Sequence, residues 1–129
     1  MIGISNVAAG QLTELCEQAN VKPMVVQNRC FAALGWDQEV REICRSNGVV
    51  YQGFSLLTAN GEVLADPEIQ TIAQRLGMGP AQIIFRFAMQ IGMLPLTGTT
   101  SRQHMKEDLQ AERLALSAEE IRRIETIAL

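Results

Sequence analysis

Four short runs of apolar, largely β-branched residues punctuate the chain, and between them apolar residues recur at roughly every third or fourth position. The first run, Ile2-Gly3-Ile4, ends in a Ser5-Asn6 turn, after which Leu12, Leu15, Cys16 and Ala19 share one helical face. Pro23 introduces Met24 to Asn28, a stretch too short and too β-branched for a helix. Residues 29–36 read as a loop, Asp37 as the N-cap of a helix carrying Val40, Ile43 and Cys44 on one side, and Gly48 as its stop. A third strand is predicted within 49–57 and a polar turn over 58–62, and Asp66-Pro67 starts a helix running towards Gly77. A largely apolar helix over 79–92 follows. The remainder is a strand within 93–98, a helix opened by Ser101, and a last helix announced by a Ser117/Glu120 capping box.

Strand and helix thus alternate, which implies parallel strands joined by right-handed helical crossovers. None of the four runs alternates cleanly with polar residues, as expected for a sheet covered on both faces. The fold class is therefore α/β, with four parallel strands and helices on the outside. Two architectures satisfy it, an open doubly wound sheet and half of an eight-stranded (β/α) barrel. No GxGxxG loop follows any strand, so the usual dinucleotide signature of the open sheet is missing.

A length of 129 residues suits one domain spanning 1–129, and 47% hydrophobic with 19% charged residues describes a chain that folds. The formal net charge is -3 and no basic cluster could track a phosphate backbone, which excludes nucleic acid as the expected partner. No apolar run approaches the roughly 20 residues of a membrane span, and no charged-then-apolar leader is seen, so a cytoplasmic location is the expectation. Cys16, Cys30 and Cys44 are odd in number and lack metal-ligand spacing, which points to reduced thiols and no metal site.

The strand ends also carry a pattern: IGISN, then VVQN, then GFSLL, and GTTSRQHMKEDL near the C-terminus. In order and spacing these resemble the aldo-keto reductase family, across essentially the whole chain and over strands five to eight of that family's TIM-type barrel. The resemblance implies an NAD(P)H-dependent oxidoreductase and a C-terminal half-barrel carrying the nicotinamide cofactor, NADP or NAD. It assigns Ser5, Asn6 and Gln27 to the nicotinamide carboxamide, a group whose donor and acceptor suit hydroxyls and amides. Phe54 stands where the family usually stacks a tyrosine ring. Ser55 and Leu57 match the pyrophosphate loop, with Leu56 replacing a common proline.

At the other end of the cofactor, Thr97-Gly98-Thr99 replaces a Pro-Lys-Ser run, and His104 replaces an arginine that meets the 2'-phosphate of NADPH. That exchange removes a lysine and substitutes a titratable imidazole, leaving Arg102 as a nearby cation. Thr99 and Ser101 at a helix start still suit an anion, and Glu107 and Asp108 match the pair that meets adenine. The family's proton-donating tyrosine, with its lysine, aspartate and histidine, comes from the first four strands, so no catalytic residue is assigned. Tyr51, the only tyrosine, has opposite side-chain parity to Phe54 and is a poor substitute.

Because Met1-Ile2 already reads as strand, a missing N-terminal half-barrel is expected. A half-barrel leaves about six inward positions uncovered. With two open strand edges, this predicts self-association as a homodimer. The alternative to an enzyme fragment is a non-catalytic, self-associating half-barrel that binds dinucleotide weakly or not at all.

Overall fold

A computed structural model describes residues 1–129. Four parallel strands, β1 (Gly3–Ser5), β2 (Val25–Arg29), β3 (Val50–Phe54) and β4 (Leu94–Pro95), pair in the order of the chain. Helix α1 (Ala9–Gln18) follows β1 and α2 (Gln38–Asn47) follows β2. After β3 come α3 (Gly61–Leu64), α4 (Pro67–Leu76) and α5 (Pro80–Gln90), and after β4 come α6 (Arg102–Gln110) and α7 (Ala118–Thr126). A doubly wound sheet reverses its strand order at a switch point, whereas a barrel wall runs consecutively. The order β1-β2-β3-β4 is that of a partial (β/α) barrel.

The helices cover one face of the sheet. Ile4, Val26 and Tyr51 stand in register across β1, β2 and β3, and Val26 and Tyr51 are buried in the core beneath the helices. Side chains alternate along a strand. The opposite face therefore carries Gly3, Val25 and Val50 in one row and Ser5, Gln27, Gln52 and Leu94 in the next. Val50 and Leu94 are each 48% exposed there.

Several predicted signals hold. Asp66 accepts from the Glu68 amide at 2.8 Å with Pro67 in the first turn, and Ser117 and Glu120 cap each other reciprocally at 3.2 and 2.8 Å. Gly48 and Gly77 end α2 and α4 with φ of 67° and 64°, a conformation costly for residues with a Cβ. No helix is long and apolar enough to cross a membrane.

Other expectations are corrected. The fourth strand shrinks to Leu94–Pro95, because Pro95 has no amide to extend its ladder, and Leu96 donates instead to the Gly53 carbonyl at 2.9 Å. The polar stretch 58–62 is a turn only as far as Asn60, since α3 starts at Gly61. The loop over 29–36 contains a 3-10 turn, Ala32–Asp37, in which Gly35, Trp36 and Asp37 are all left-handed. This twist turns the Asp37 carboxylate inward, away from the α2 amides that it was expected to cap, and towards Asn28 and Tyr51.

Candidate functional site

The predicted site residues fall into three groups, and all but Gln27, the middle residue of β2, lie at or beyond the C-terminal ends of the strands, the end at which α/β barrels carry their sites. In the first, Ser5, Gln27 and Gln52 lie in register on the uncovered face, and Gln27 Nε2 donates to Gln52 Oε1 at 3.1 Å. Asn6 follows with φ of 54°, and its amide donates to the Gln27 carbonyl at 3.1 Å, locking the turn onto β2. Barrel interiors are ordinarily filled by bulky branched side chains. The Ser5-Gln27-Gln52 layer of a hydroxyl and two amides departs from that composition.

The second group, Phe54, Ser55, Leu57 and Gly98, lines one cleft of about 340 Å³ with Phe85 and Leu96. Ser55 holds φ of 57°, which turns the chain sharply after β3. The third group occupies α6 and the turn before it. Thr99 Oγ1 accepts the Ser101 amide at 3.1 Å, and Ser101 in turn caps the His104 amide at 3.3 Å, so both hydroxyls shape the start of α6. His104 is exposed. Asp108 accepts from the Thr97 hydroxyl at 3.1 Å, fastening α6 to the strand end, and Glu107 accepts from Gln103 at 2.7 Å.

What holds these groups in place is a set of buried amides to which sequence reasoning gave no role. Asn28 accepts from the Val7 amide at 3.0 Å and donates to the Val7 carbonyl and to Asp37, each at 2.8 Å, pinning the residue after Asn6. Asn60 accepts from the Ala32 amide at 2.7 Å and donates to the Leu56 and Cys30 carbonyls at 2.8 and 3.0 Å, tying the β3 loop to the β2 loop. Gln82 donates to the Glu107 carbonyl at 2.7 Å and so seats α6 on α5. The available signal for Asn28 was its parity, because it places an amide on the helix-covered face of a strand, where apolar residues are the rule.

Tyr51 lies on that covered face, buried, and its hydroxyl donates to Asp37 at 2.7 Å. Burial, with Cys30 and Asp37 beside it, raises its pKa well above the ordinary phenol value. Burial likewise pushes the Cys30 thiol up from 9.0 to about 12, and, with Cys16 adding to it, Cys44 to about 11. All three cysteines are buried, so alkylation by iodoacetamide at about pH 8 should occur only on unfolding. The fold keeps Cys30 neutral while an unfolded chain ionises it from 9.0 upwards, so its contribution is complete below that pH and is lost as pH rises towards about 12. Urea midpoints measured in steps from about pH 8 to 11 should fall on the alkaline side. A flat profile would show that the thiols are not held in this dry environment.

The whole chain, residues 1–129, matches the model of the aldo/keto reductase family. It is 34% identical over 114 residues to aldo-keto reductase family 4 member C11 of Arabidopsis thaliana, covering 83% of this chain and 36% of that protein. It is 29% identical over 126 residues to methylglyoxal reductase DkgB of Yersinia pestis, covering 98% of this chain and 47% of that one. Among solved structures, an aldo-keto reductase from a Medee basin deep-sea metagenome library superposes with a TM-score of 0.88 at 20% identity, over 98% of this chain and 47% of the other. The chain spans about half the length of such relatives or less.

Proposed function

Since the chain belongs to the aldo/keto reductase family, whose members generally use NAD(P)H and whose relatives support an oxidoreductase-like function, we propose that these residues form its cofactor-holding half, strands five to eight of the barrel. The observation that carries this reading is the polar layer Ser5-Gln27-Gln52 on the barrel-facing side of the sheet. An amide row offers both donors and acceptors, as a nicotinamide carboxamide requires. With Ser5, Asn6 and Gln27 at the carboxamide, Phe54 gives the ring a flat apolar surface and Ser55, Leu57, Gly98 and Thr99 border the diphosphate. His104, Glu107 and Asp108 flank the adenosine end. When bound, the nicotinamide supplies hydride; the chain's residues here bind and orient it.

Binding is expected to be weak and nearly indifferent between NADH and NADPH, because neither Gly98 nor exposed His104 offers the bidentate fork that a 2'-phosphate favours. Calorimetric titration of both cofactors into the chain, and into Gln27→Ala and Phe54→Ala variants, tests this. The variants should each lose about 1–2 kcal/mol of affinity, the scale of a hydrogen bond or a stacked ring. Tight binding of NADPH alone, or no change in either variant, would defeat the assignment.

The exposed Val50 and Leu94 favour a second reading alongside the first, that the open sheet face is covered by a second copy of this chain. The complement of a half-barrel is a unit of its own size, and a two-fold axis along the barrel would set β1 of one copy beside β4 of the other, parallel as in a closed wall. The driving force is smaller than the sequence suggested. The Ser5-Gln27-Gln52 layer is polar, so only Val25, Val50, Leu94 and Phe54 gain from apolar cover, at about 1.5–3 kcal/mol each when fully buried. Light scattering at micromolar concentration should give the dimer mass, and Val50→Lys with Leu94→Lys should return the monomer. A monomeric parent chain rejects the homodimer.

A further inference from the structure

Among the last residues of the four strands and the three positions after each, Arg29 is the only one that carries a charge. It closes β2 in register with Phe54 and leaves the sheet on the same face as Gln27, two residues earlier. Its guanidinium sits 5.3 Å from the centre of the Phe31 ring, a cation–π seat that orients the group without neutralising it. No carboxylate pairs with it. The four ion pairs belong to Arg41, Arg75 and Arg123, and Asp37 directs its carboxylate to the opposite face, to Asn28 and Tyr51. An unpaired guanidinium held over an aromatic ring is a receptor for an anion.

Two anions could meet it, the cofactor diphosphate and a charged group on the carbonyl substrate. The Phe54–Gly98 cleft is built wholly from the β3 and β4 loops and Phe85, with no contribution from β2, so an anion in that cleft lies away from the strand that ends in Arg29. Adjacent strands are about 4.8 Å apart, so an anion at Arg29 stands a short distance from a carbonyl lying above Phe54. We propose that Arg29 recognises the carboxylate of a short oxo-acid substrate, an inference that rests on the cofactor reading above.

Isotope-labelled chain, with and without NADH, is titrated with phenylglyoxylate and with its methyl ester while the Arg29 Nε–H resonance is followed. The acid should shift that resonance and bind about tenfold or more tightly than the ester, the scale of a charge-assisted pair. Arg29→Gln should erase the preference and leave NADH affinity within about twofold, while Arg29→Lys keeps the charge without the fork and retains part of it. Equal binding of acid and ester overturns the proposal. So does an Arg29→Gln variant that loses NADH affinity as much as acid affinity, since the anion is then the diphosphate. Because the acid is also titrated without NADH, failure of NADH to bind overturns the cofactor reading while the acid-to-ester ratio still decides the role of Arg29.

Discussion

Replacing Trp36 with alanine should leave the chain largely unfolded at ambient temperature. Trp36 is fully buried, its ring centre lies 5.1 Å from that of Phe87, and its indole N–H donates to the Ile124 carbonyl at 2.9 Å. Its own carbonyl accepts from Arg41 Nε at 2.8 Å, and Arg41, also buried, reaches Glu125 at 3.2 Å. One residue therefore joins the β2 loop to α2, to α5 and to α7. Truncating a buried tryptophan costs about 3–5 kcal/mol, and loss of the indole bond, which leaves the Ile124 carbonyl only the Ile127 amide at 3.4 Å, adds about 1. Against a typical stability of about 5–15 kcal/mol, and with one face of the sheet uncovered, little remains. Far-UV circular dichroism with urea unfolding is the measurement, because the variant has no tryptophan to report. Trp36→Phe keeps a ring but loses the indole donor, and should fall between parent and Trp36→Ala. A Trp36→Ala chain within about 1 kcal/mol of the parent would mean that α7 is not fastened through this residue.

Trp36 also marks where sequence reading stops. Local signals were legible wherever their partners are local. The Asp66-Pro67 start, the Gly48 and Gly77 stops and the Ser117/Glu120 box each involve residues within a turn or two of each other, and each holds. Asp37 looked like the same kind of signal. Its real partners, Asn28 and Tyr51, lie on two different strands, and the left-handed run Gly35-Trp36-Asp37 that aims it at them is stabilised by contacts with α7 at the far end of the chain. No periodicity encodes such a contact. Helix α3, four residues long, is too short to show a helical period, and β4 owes its two residues to a proline inside an otherwise apolar run. For the candidate site, the members at strand ends were readable by pattern. The layer that unites Ser5, Gln27 and Gln52 exists only once parallel register is known, because Gln52 is an unremarkable polar residue in sequence.

By itself the chain is expected to leave carbonyls unreduced, and turnover should appear only when an acid-bearing half-barrel completes the wall. Carbonyl reduction requires a positioned acid to protonate the nascent alkoxide, and such acids contribute about 10²–10⁴-fold. Tyr51, the only tyrosine, sits on the helix-covered face with its proton held by Asp37 at 2.7 Å and its pKa raised, so it can neither reach the barrel interior nor release a proton there. Lys22 and Lys106, the only lysines, lie in the β2 approach and on α6, away from the Ser5-Gln27-Gln52 layer. Mixing the chain with a separately expressed front half of a related reductase should raise cofactor oxidation with a panel of aldehydes and oxo acids by a factor on the order of 10² or more. Tyr51→Phe, which leaves Asp37 bonded to Asn28, should cost about 1 kcal/mol of stability and leave that restored rate unchanged. Cofactor oxidation by the chain alone that Tyr51→Phe abolishes would place the acid on the face now assigned to packing, and the partition of the sheet into a structural side and a chemical side would be wrong.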